Sequence, residues 1–566
     1  MAALSFAVSV GHRAAAEIAT DVLGAGGNAV DAGVAASIAL TVLHSEQVQL
    51  GGIAPMIIRM SAQGRTYTID GVGRWPAKAD RLMFENAHRG RIPSGILRTV
   101  VPGAPDAWLT ALTRFGTMGF AELAQPAMRL ARDGFAAHED LVSVTTKFEK
   151  SYRQNPGNAC IWLPNDQLLQ LGQHFVQTDL GATLQRLIEA DQSGAAKAGR
   201  LEGLRAVRDL FYLGELAQEM AHHAQTLKGW LTLDDLASHA ASVEDATATR
   251  VMGGLLHTCG PWSQGPSLSQ ALLIYEQYGK LHPRGGEGPK IHALVEAINL
   301  AMADREAYYG DPDFVTVPLE TLLSPEYAAC RAELIDAYQA FGAMPPGGLI
   351  DRSLSQQPRR SVEDVALPSL DTSVAAIIDN EGNVFVCTPS DSSTDAPVVP
   401  GLGFVLSTRG SQSQTIEGHP SALAPGKRPR VTACPMLFES DDGRMIAGGG
   451  PGGDLQLQAM AQVLVHHLAE HQSLADATAK PRFFSLSAPT SNSPHLAFPG
   501  RLVLEEAIPE SVMSGLAALG HKTVRGDGSG VNQPSVCLVA LGPDDRYEAV
   551  ADPRRRSGQS MRTTAS

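Results

Sequence analysis

The sequence is poor in positive charge and has no long basic run. Its 566 residues include 45 lysines and arginines against 59 aspartates and glutamates, which gives a formal net charge of −14. The longest basic run is Arg554-Arg555-Arg556, near the end of the chain. Nucleic-acid grooves need clustered lysine and arginine to neutralise phosphates, so we expect no DNA or RNA partner.

The sequence also has no apolar stretch that reaches the length needed to cross a bilayer. Its first residues lack the basic start and the sustained apolar core of a secretory signal. We therefore expect a cytoplasmic protein with no membrane partner, unless the chain begins after a removed leader.

Metal-binding and disulfide patterns are missing as well. Six cysteines are scattered without a C-x-x-C pair, which predicts buried, reduced thiols rather than disulfides or a metal site. Among 17 histidines, His467 and His471 share a face of a predicted helix at a spacing that suits zinc. Neither an H-E-x-x-H motif nor a third ligand accompanies them, so a packed or solvated pair is favoured, as at His222-His223. We predict no metal and no cofactor.

The composition is that of a globular protein with a large core. Hydrophobic residues make up 44% of the sequence and charged residues 18%, and the length suggests several domains. Apolar periodicity predicts a largely helical middle of the chain, whereas the part after residue 372 changes to strands. Candidate strands in that part are Phe404–Ser407, Met436–Phe438 and Arg444–Ala447.

The most informative stretch is a predicted hairpin that opens on Thr372. Apolar residues fill 374–378 and 384–387, and the polar cluster between them supplies a turn. A hydroxyl at the start of a core strand has two interpretations. Threonine simply favours strands. Alternatively, a cut after Asp371 gives Thr372 a free α-amine beside its own hydroxyl, so that one residue supplies both nucleophile and base.

A glycine-rich loop at residues 448–454 precedes a predicted helix over 455–471. Backbone N–H groups at a helix N-terminus are free to bind anions. A nucleotide-phosphate loop is disfavoured, because no Lys-Ser or Lys-Thr pair follows the glycines and no strand fingerprint with a distal acid accompanies them. An ordinary glycine turn is the other interpretation.

Several stretches, in order along the chain, resemble the γ-glutamyltransferase family of N-terminal-nucleophile hydrolases. They lie at 26–32 (GGNAVDA), 101–103, 296–314, 451–453 and 552–555. With them, Thr372 falls where that family has its processed nucleophile, ahead of the Asp379-x-x-Gly382-Asn383 turn. The resemblance implies an α+β fold, a four-layer αββα sandwich built from both parts of a self-cleaved precursor. Residues 1–371 would form a mostly helical large subunit and residues 372–566 a small subunit.

The resemblance also implies roles for individual residues. Thr372 would first attack the preceding carbonyl and later a substrate amide, with its freed amine as base and an acyl-enzyme as intermediate. Gly452 and Gly453 match the family's backbone oxyanion hole. Ser390 matches a hydroxyl that bonds to the nucleophile, although it fits a plain turn equally well. The implied partners are a small-molecule amide and the other subunit of the precursor, with further pairing of such heterodimers left open.

The residues that bind a glutamyl group in this family are largely changed here. Val72 replaces an expected arginine, and the loss of an acidic residue removes the natural partner of an α-ammonium group. We therefore expect γ-glutamyl donors to be poor substrates. The predicted substrate-binding residues are Arg74, Ser392, Arg409, Gln412 and Thr432.

Arg409 stands where the family has a neutral amide. It either pairs with a substrate carboxylate or is a solvated surface residue. We predict an amide hydrolase that passes to water an acyl group bearing a carboxylate, such as an oxamate-like one, or a cephalosporin-type side chain. Two alternatives stay open, a genuine γ-glutamyltransferase or glutathione hydrolase, and a non-catalytic binding or scaffold protein with this fold.

Overall fold

Two β-sheets stacked face to face form the centre of the protein. The computed structural model describes residues 5–282, 285–349, 371–526, 534–555 and 557–563. Its strands are β1 (Phe6–Val10), β2 (Met56–Met60), β3 (Arg65–Ile69), β4 (Phe135–Ala136), β5 (His174–Phe175), β6 (Val243–Asp245), β7 (Thr247–Val251), β8 (Gly254–Thr258), β9 (Ala375–Ile378), β10 (Val384–Cys387), β11 (Met436–Ser440), β12 (Met445–Gly449), β13 (Phe483–Ser485), β14 (Arg501–Leu504), β15 (Lys522–Arg525), β16 (Cys537–Leu541), β17 (Tyr547–Ala551) and β18 (Gln559–Thr563).

Helices occupy most of the chain between the strands. They are α1 (Arg13–Gly24), α2 (Ala29–Leu43), α3 (Arg81–His88), α4 (Ala104–Phe115), α5 (Phe120–Asp133), α6 (Glu139–Lys147), α7 (Glu149–Gln154), α8 (Pro156–Trp162), α9 (Thr178–Ala198), α10 (Arg200–Tyr212), α11 (Glu215–Thr226), α12 (Leu233–Ala237), α13 (Gly265–Leu281), α14 (Glu287–Tyr308), α15 (Leu319–Leu322), α16 (Pro325–Ala332), α17 (Gln456–Leu464), α18 (Leu474–Ala479) and α19 (Glu510–Ala518).

The first large sheet has seven strands in the order β18-β1-β9-β10-β2-β3-β6, and the second has six in the order β17-β16-β12-β11-β8-β7. In the first sheet, β9 and β10 run antiparallel to each other and to their neighbours β1 and β2. In the second sheet, β12 runs antiparallel to β11 and β16. Smaller sheets pair β13-β14-β15 and β4-β5. The predicted hairpin is confirmed as β9 and β10, in the middle of the first sheet.

Alternation along each strand separates three hydrophobic layers. In β9, Ala376 and Ile378 face the second sheet, where they pack with Leu437 and Val539, and Ala375 and Ile377 face the opposite way. Successive side chains of a strand point to opposite faces, so each sheet is apolar on both sides. The outer face of each sheet is therefore apolar and needs a cover of helices.

Helices supply both covers. Buried residues of α1, α2, α4, α5, α9, α10 and α11 pack on the outer face of the first sheet. Buried residues of α13, α14 and α17 pack on the outer face of the second sheet. The four-layer αββα arrangement and the α+β class that the sequence predicts are confirmed.

Both large sheets mix strands from before and after Thr372. Strands β1, β2, β3 and β6 of the first sheet come from the earlier part of the chain, and β9, β10 and β18 from the later part. The second sheet likewise joins β7 and β8 to β11, β12, β16 and β17. A cut before Thr372 would leave both pieces hydrogen-bonded within the same two sheets.

One predicted strand and one prediction about thiols are wrong. Residues 404–407 form no strand, because Val405 N donates to the Gln49 side chain (2.8 Å) and Ser407 O accepts from Val100 N (2.9 Å) rather than from a ladder partner. The six cysteines are free, and four are buried, but Cys160 and Cys330 are exposed. Helical side chains there do not all face the core.

Candidate active site

The hydroxyls of Thr372 and Ser390 meet at the open end of the β9–β10 hairpin. Thr372 Oγ1 lies 2.7 Å from Ser390 Oγ, and both residues are buried. Ser373 N donates to Pro389 O (3.0 Å), which extends the pairing of the two chains beyond the strands. Ser390 is further fixed by a two-way backbone bridge to Ile53. The structure therefore brings the predicted nucleophile and its predicted hydroxyl partner together.

The backbone of Thr372 is strained. Its φ is 118°, a value that β-branched residues avoid because of steric clash. Such conformations cost about 1–3 kcal/mol and persist only where the surroundings impose them. Rotation about φ positions the carbonyl carbon of Asp371, so cutting the bond between Asp371 and Thr372 would release this strain.

The hairpin is anchored at its other end to the N-terminus of α2. Asn28 caps α2 by accepting from Val30 N and Asp31 N, and Asp31 accepts in return from Asn28 N (3.0 Å). The Asp379 carboxylate, at the turn of the hairpin, accepts from Ala29 N (2.8 Å). A carboxylate at a helix N-terminus satisfies a free donor and opposes the positive dipole end. The family-like stretch 26–32 and the Asp379 turn therefore position the strand that follows Thr372.

Arg409 lies beside the two hydroxyls and is not a solvated surface residue. Its side chain is 3% exposed, and Nη2 donates to Asp371 Oδ2 and to Ser390 Oγ. Its Nε is 3.3 Å from Asp391 Oδ1. Burial lowers the pKa of Arg409, but Asp371 and Asp391 outweigh it, so the pKa is raised. The guanidinium is a buried cation that is linked to Thr372 Oγ1 through the hydroxyl of Ser390.

Asp391 is the second carboxylate that faces Arg409. Its carboxylate accepts from Ser407 Oγ (2.8 Å), Thr408 N (3.0 Å) and Thr408 Oγ1 (2.9 Å). Burial raises the pKa of Asp391, and Arg409 opposes that rise. With every bond of this carboxylate made inside the protein, Asp391 holds Arg409 in place and leaves Nη2 pointing at Asp371 and Ser390.

Arg555 fixes the backbone of Thr372 from the opposite side. Its Nη1 donates to Thr372 O (3.1 Å), and its Nη2 donates to Gln47 Oε1 and His44 Nδ1, each at 2.9 Å. Its Nε is 3.3 Å from Asp140 Oδ2. Sequence reasoning missed this role, and the only signal was the place of Arg555 in the family-like stretch 552–555.

Three histidines, His12, His44 and His138, gather beside Arg555 with one nitrogen of each within 4.8 Å of the others. A metal ion would need three lone pairs there. However, the Nδ1 atoms of His12 and His44 accept from Ala14 N and Arg555, and His138 Nε2 contacts Leu43 O (2.7 Å). These bonds place a proton on each Nε2, so the rings as arranged do not fit a metal ion. Burial lowers the pKa of all three histidines.

The other histidine sites have protein partners as well. His466 Nδ1 contacts Glu470 Oε2 (2.9 Å), and His467 Nδ1 contacts Gln472 O (2.7 Å). In a second group, His292 Nε2 contacts Asp336 O and His292 Nδ1 contacts His521 Nε2, each at 2.8 Å. The predicted face shared by His467 and His471 is not formed, since the helix changes to a π-helical turn over 465–469.

The glycine loop turns sharply at Gly452 (φ 137°) and Gly453 (φ 54°), values that favour glycine. Asp454 holds this turn by accepting from Ser491 N and Arg305 Nη1, each at 2.7 Å. Neither Gly452 N nor Gly453 N donates a hydrogen bond to another described residue. The turn therefore presents two free N–H groups ahead of α17, as an oxyanion hole requires.

Gln412 and Thr432 form a pair that reaches this glycine turn. Gln412 Oε1 accepts from Thr432 N (3.1 Å), and Gln412 Nε2 donates to Thr432 Oγ1 (3.2 Å). Gln264 Nε2 donates to both Thr432 O and Gly453 O. Gln264 was not among the predicted site residues, although it links two of them.

Two predicted substrate-binding residues have other surroundings. Arg74 pairs with Asp311 (3.3 Å) and Asp313 (2.9 Å) in a cluster with Arg428. Ser392 Oγ bonds to Thr394 Oγ1 (2.7 Å) within its own turn. Neither side chain bonds to Thr372, Ser390 or Arg409 in the described part of the chain, and their roles stay predictions.

Among the described residues, no helix combines the length and apolarity that a membrane crossing requires.

Comparison with known proteins agrees with this geometry. The family model described as Gamma-glutamyltranspeptidase matches residues 15–562. The glutathione hydrolase proenzyme of Escherichia coli (strain K12) is 29% identical over 95% of this chain and 89% of its own length. The acylase ACY 1 proenzyme of Pseudomonas sp. (strain SE83) is 30% identical, with 96% and 91% covered, and the oxamate amidohydrolase proenzyme of Klebsiella pneumoniae subsp. pneumoniae is 28% identical, with 96% of each covered.

Solved structures share the whole architecture. That of LmbA2991HD has a TM-score of 0.89 and 30% identity and covers 99% of this chain and 98% of its own. The cephalosporin acylase from Bacillus halodurans has a TM-score of 0.84 at 24% identity, with 99% and 96% covered, and supports the fold. The chain therefore belongs to the γ-glutamyltranspeptidase family and is an enzyme of that family's amide hydrolase and acyltransferase type.

Proposed function

We propose that this chain is a precursor that cuts itself between Asp371 and Thr372 and then hydrolyses amides with Thr372 as its nucleophile. One observation carries the proposal: the Thr372 hydroxyl is hydrogen-bonded to Ser390 at a residue whose backbone is strained at the bond to be cut. The proenzyme names of the relatives from Escherichia coli, Pseudomonas and Klebsiella support a cut precursor. The resulting subunits would be residues 1–371 and 372–566.

The cut begins when Thr372 Oγ1 attacks the carbonyl carbon of Asp371. Arg409 donates to Ser390 Oγ, which makes the Ser390 hydroxyl a better donor toward the oxygen of Thr372. The C–N bond then breaks as the proton of the Thr372 hydroxyl passes to the nitrogen, so that an ester forms on Oγ1 and the nitrogen of Thr372 becomes a free amine. Water hydrolyses the ester and leaves Asp371 as a new carboxyl terminus.

Turnover repeats this chemistry on a substrate. The free amine of Thr372 takes the hydroxyl proton, Oγ1 attacks the amide carbon, and the proton passes to the leaving amine. The N–H groups of Gly452 and Gly453 would stabilise the oxyanion. Water then attacks the ester and releases the acid, or an acceptor amine takes the acyl group. Arg555, through its bond to Thr372 O, would keep the nucleophile oriented.

Intact mass under denaturing conditions tests the proposal. We expect two fragments from the wild type, the smaller starting at Thr372, and one uncut chain from Thr372→Ala. Thr388→Val is the matched control, since Thr388 is a buried residue that follows the same hairpin and has no bond to Thr372. A single uncut chain from wild type and control alike would contradict the proposal and favour a binding or scaffold protein.

The acyl group separates the remaining alternatives. The pairing of Arg409 with carboxylates favours an acyl donor that carries one, which agrees with the name of the oxamate amidohydrolase relative. Release of amine from a γ-glutamyl anilide at a rate matching that of other carboxylate-bearing anilides would instead favour a γ-glutamyltransferase or glutathione hydrolase. Gln412 and Thr432 would bind the substrate on the side of the glycine turn. Cytoplasmic location stays a prediction.

A further inference from the structure

In the uncut chain, the carboxylate of Asp371 accepts a hydrogen bond from Arg409, the cation beside the proposed nucleophile. We propose, building on the proposed function, that Asp371 marks the acyl pocket and that the substrates are monoamides of four-carbon dicarboxylic acids, of which succinyl amides are the simplest. The class is defined by a free carboxylate at the far end of the acyl chain from the scissile carbonyl.

Residue 371 is itself an acyl donor in the proposed cut. Its carbonyl carbon is the atom that Thr372 attacks, and its side-chain carboxylate bonds to Arg409 Nη2. Counting from the carbonyl carbon through Cα and Cβ, the carboxylate carbon of aspartate is the fourth. The same nucleophile and the same Arg409 would therefore receive a succinyl group in the same way.

The cut would leave Arg409 in need of a new anion. Its side chain is 3% exposed, and Nη2 bonds only to Asp371 and Ser390 among the described residues, whereas Nε faces Asp391. When Asp371 leaves with the large subunit's terminus, Arg409 keeps Asp391 and Ser390, but its buried Nη2 loses a charged acceptor, which is unfavourable. A substrate carboxylate restores the bond that Asp371 made.

Distance limits the length of the acyl chain. Ser390 Oγ bonds both to Thr372 Oγ1 and to Arg409 Nη2, so the nucleophile and the cation are at most two hydrogen bonds apart, about 5–6 Å. The Asp371 side chain reaches Arg409 with two carbons between its carbonyl carbon and its carboxylate carbon, whereas a six-carbon adipyl group must fold to place both ends there. We expect the optimum at four carbons, with activity falling on either side.

Among the described acids that act on Arg409, none is free to bind a substrate ammonium group. The acids whose charge acts on Arg409 are Asp371, Asp391 and Asp395. Asp391 accepts from Ser407 and Thr408, and Asp395 pairs with Arg98 at 3.0 Å. An acyl group without an α-amine therefore suits this pocket better than a γ-glutamyl group.

The reaction is an ordinary hydrolysis. Thr372 Oγ1 forms a bond to the carbonyl carbon of the succinyl amide, the C–N bond breaks, and the amine leaves with the proton. Water then breaks the ester and releases succinate, so one water is consumed and neither oxidant nor reductant is needed.

The test uses processed wild-type enzyme and the p-nitroanilides of oxalic, malonic, succinic, glutaric and adipic acids, each as the free monoacid. Butyryl and γ-glutamyl p-nitroanilides complete the panel. Butyryl has the same number of carbons as succinyl but a methyl group in place of the carboxylate, and γ-glutamyl adds the α-amine. We expect the highest kcat/KM for succinyl, at least about 100-fold above butyryl. Arg409→Met should abolish that advantage, and Arg186→Met, on the surface of α9, should preserve it.

If Arg409→Met fails to cut itself, inhibition of the wild type answers the same question. Free succinate should inhibit butyryl anilide hydrolysis at least about tenfold more strongly than butyrate or malonate does. A processed enzyme that hydrolyses butyryl as fast as succinyl anilide, or that prefers another chain length, would overturn the inference and leave the proposed function standing. A chain that neither cuts itself nor hydrolyses any of these anilides would overturn both.

Discussion

The hydroxyl oxygens of Thr372 and Ser390 lie 2.7 Å apart, although the two residues are separated by 18 positions in the chain. The contact exists because a hairpin returns the chain to its starting edge, so that the residues just outside both strands face each other. Arg409 and Arg555 then approach the same point from two later segments, one at the hydroxyl and one at the carbonyl of Thr372. Thr372, the proposed nucleophile, is therefore positioned by atoms from the hairpin and from two distant stretches.

Removing the hydroxyl of Ser390 should slow both reactions of Thr372. In Ser390→Ala the oxygen of Thr372 loses its only described side-chain partner, and Arg409 loses one acceptor. We expect self-cleavage and kcat to fall by about 100-fold with little change in Tm. Time courses of fragment formation on denaturing gels and anilide kinetics measure this. Thr388→Val should behave like wild type, and equal slowing in both variants would contradict the role of Ser390.

The variant Arg555→Lys should slow self-cleavage more than the variant Arg554→Lys does. Lysine keeps the charge but cannot bond at once to Thr372 O, His44 and Gln47, as the guanidinium does. We expect fragment formation to slow by about 10–100-fold. Arg554→Lys is the matched control, because Arg554 is equally buried and pairs with Glu505 and Asp552 instead. That variant should lose stability without a comparable loss of cleavage, and the opposite order would refute the assignment.

The two glycines of the turn should differ in their tolerance of a side chain. At Gly452 (φ 137°) an added Cβ would lie 2.8 Å from Pro534 Cβ, whereas an added Cβ at Gly453 (φ 54°) would have no atom of a described residue within 4 Å. The left-handed conformation at Gly453 costs an alanine about 1–2 kcal/mol. We expect Gly453→Ala to retain most of the hydrolytic kcat and Gly452→Ala to lose at least about 100-fold. Comparable kcat values in both variants would argue against a precise N–H geometry at Gly452.

The buried Glu46 should make the fold less stable as the pH rises from about 5 to 8. Burial raises the pKa of its carboxyl from 4.5 to about 8, and its Oε2 has no hydrogen-bond partner among the described residues. Between these values the folded chain keeps a proton that the unfolded chain has lost, so the free energy of unfolding falls as pH rises toward 8. Glu46→Gln carries no titrating proton and removes this dependence.

We therefore expect Glu46→Gln to gain stability relative to wild type as pH rises from 5 to 8, by about 1 kcal/mol per pH unit. Both chains should carry Thr372→Ala, so that urea unfolding is measured on one uncut polypeptide. Curves of unfolding free energy against pH that run parallel for the two chains would show that Glu46 does not titrate in this range.

Local pattern was sufficient for the elements around the nucleophile. Apolar alternation with a polar turn predicted β9 and β10, and a glycine-rich stretch before a periodic segment predicted the turn at Gly452 and Gly453. The family-like stretches predicted the four-layer fold. The hairpin and the turn depend on residues close in sequence, where period and turn chemistry act directly, whereas the fold was predicted from the resemblance alone.

The same local reasoning failed where distant backbone decided the outcome. Residues 404–407 have strand-like composition, but the Gln49 side chain and Val100 take up hydrogen bonds of this segment, so only an isolated bridge between Val405 and Val398 forms. The helix after the glycine turn was expected to reach His471, but α17 ends at Leu464 in a π-helical turn. Composition does not record which partner satisfies a backbone group.

The sequence by itself determined the hairpin after Thr372 and the glycine turn, because these follow from periodicity and from residue types within a short window, and its family resemblance implied the fold. Only the tertiary structure decided that Arg409 is buried against Asp371 and Ser390, that Arg555 binds Thr372 O, and that Arg74 pairs with Asp311 and Asp313. The sequence shows that a residue is an arginine, but not whether its side chain lies in solvent or in a buried pocket. Its role depends on which carboxylates and carbonyls the packed sheets bring within hydrogen-bond distance, and that is a property of the folded chain.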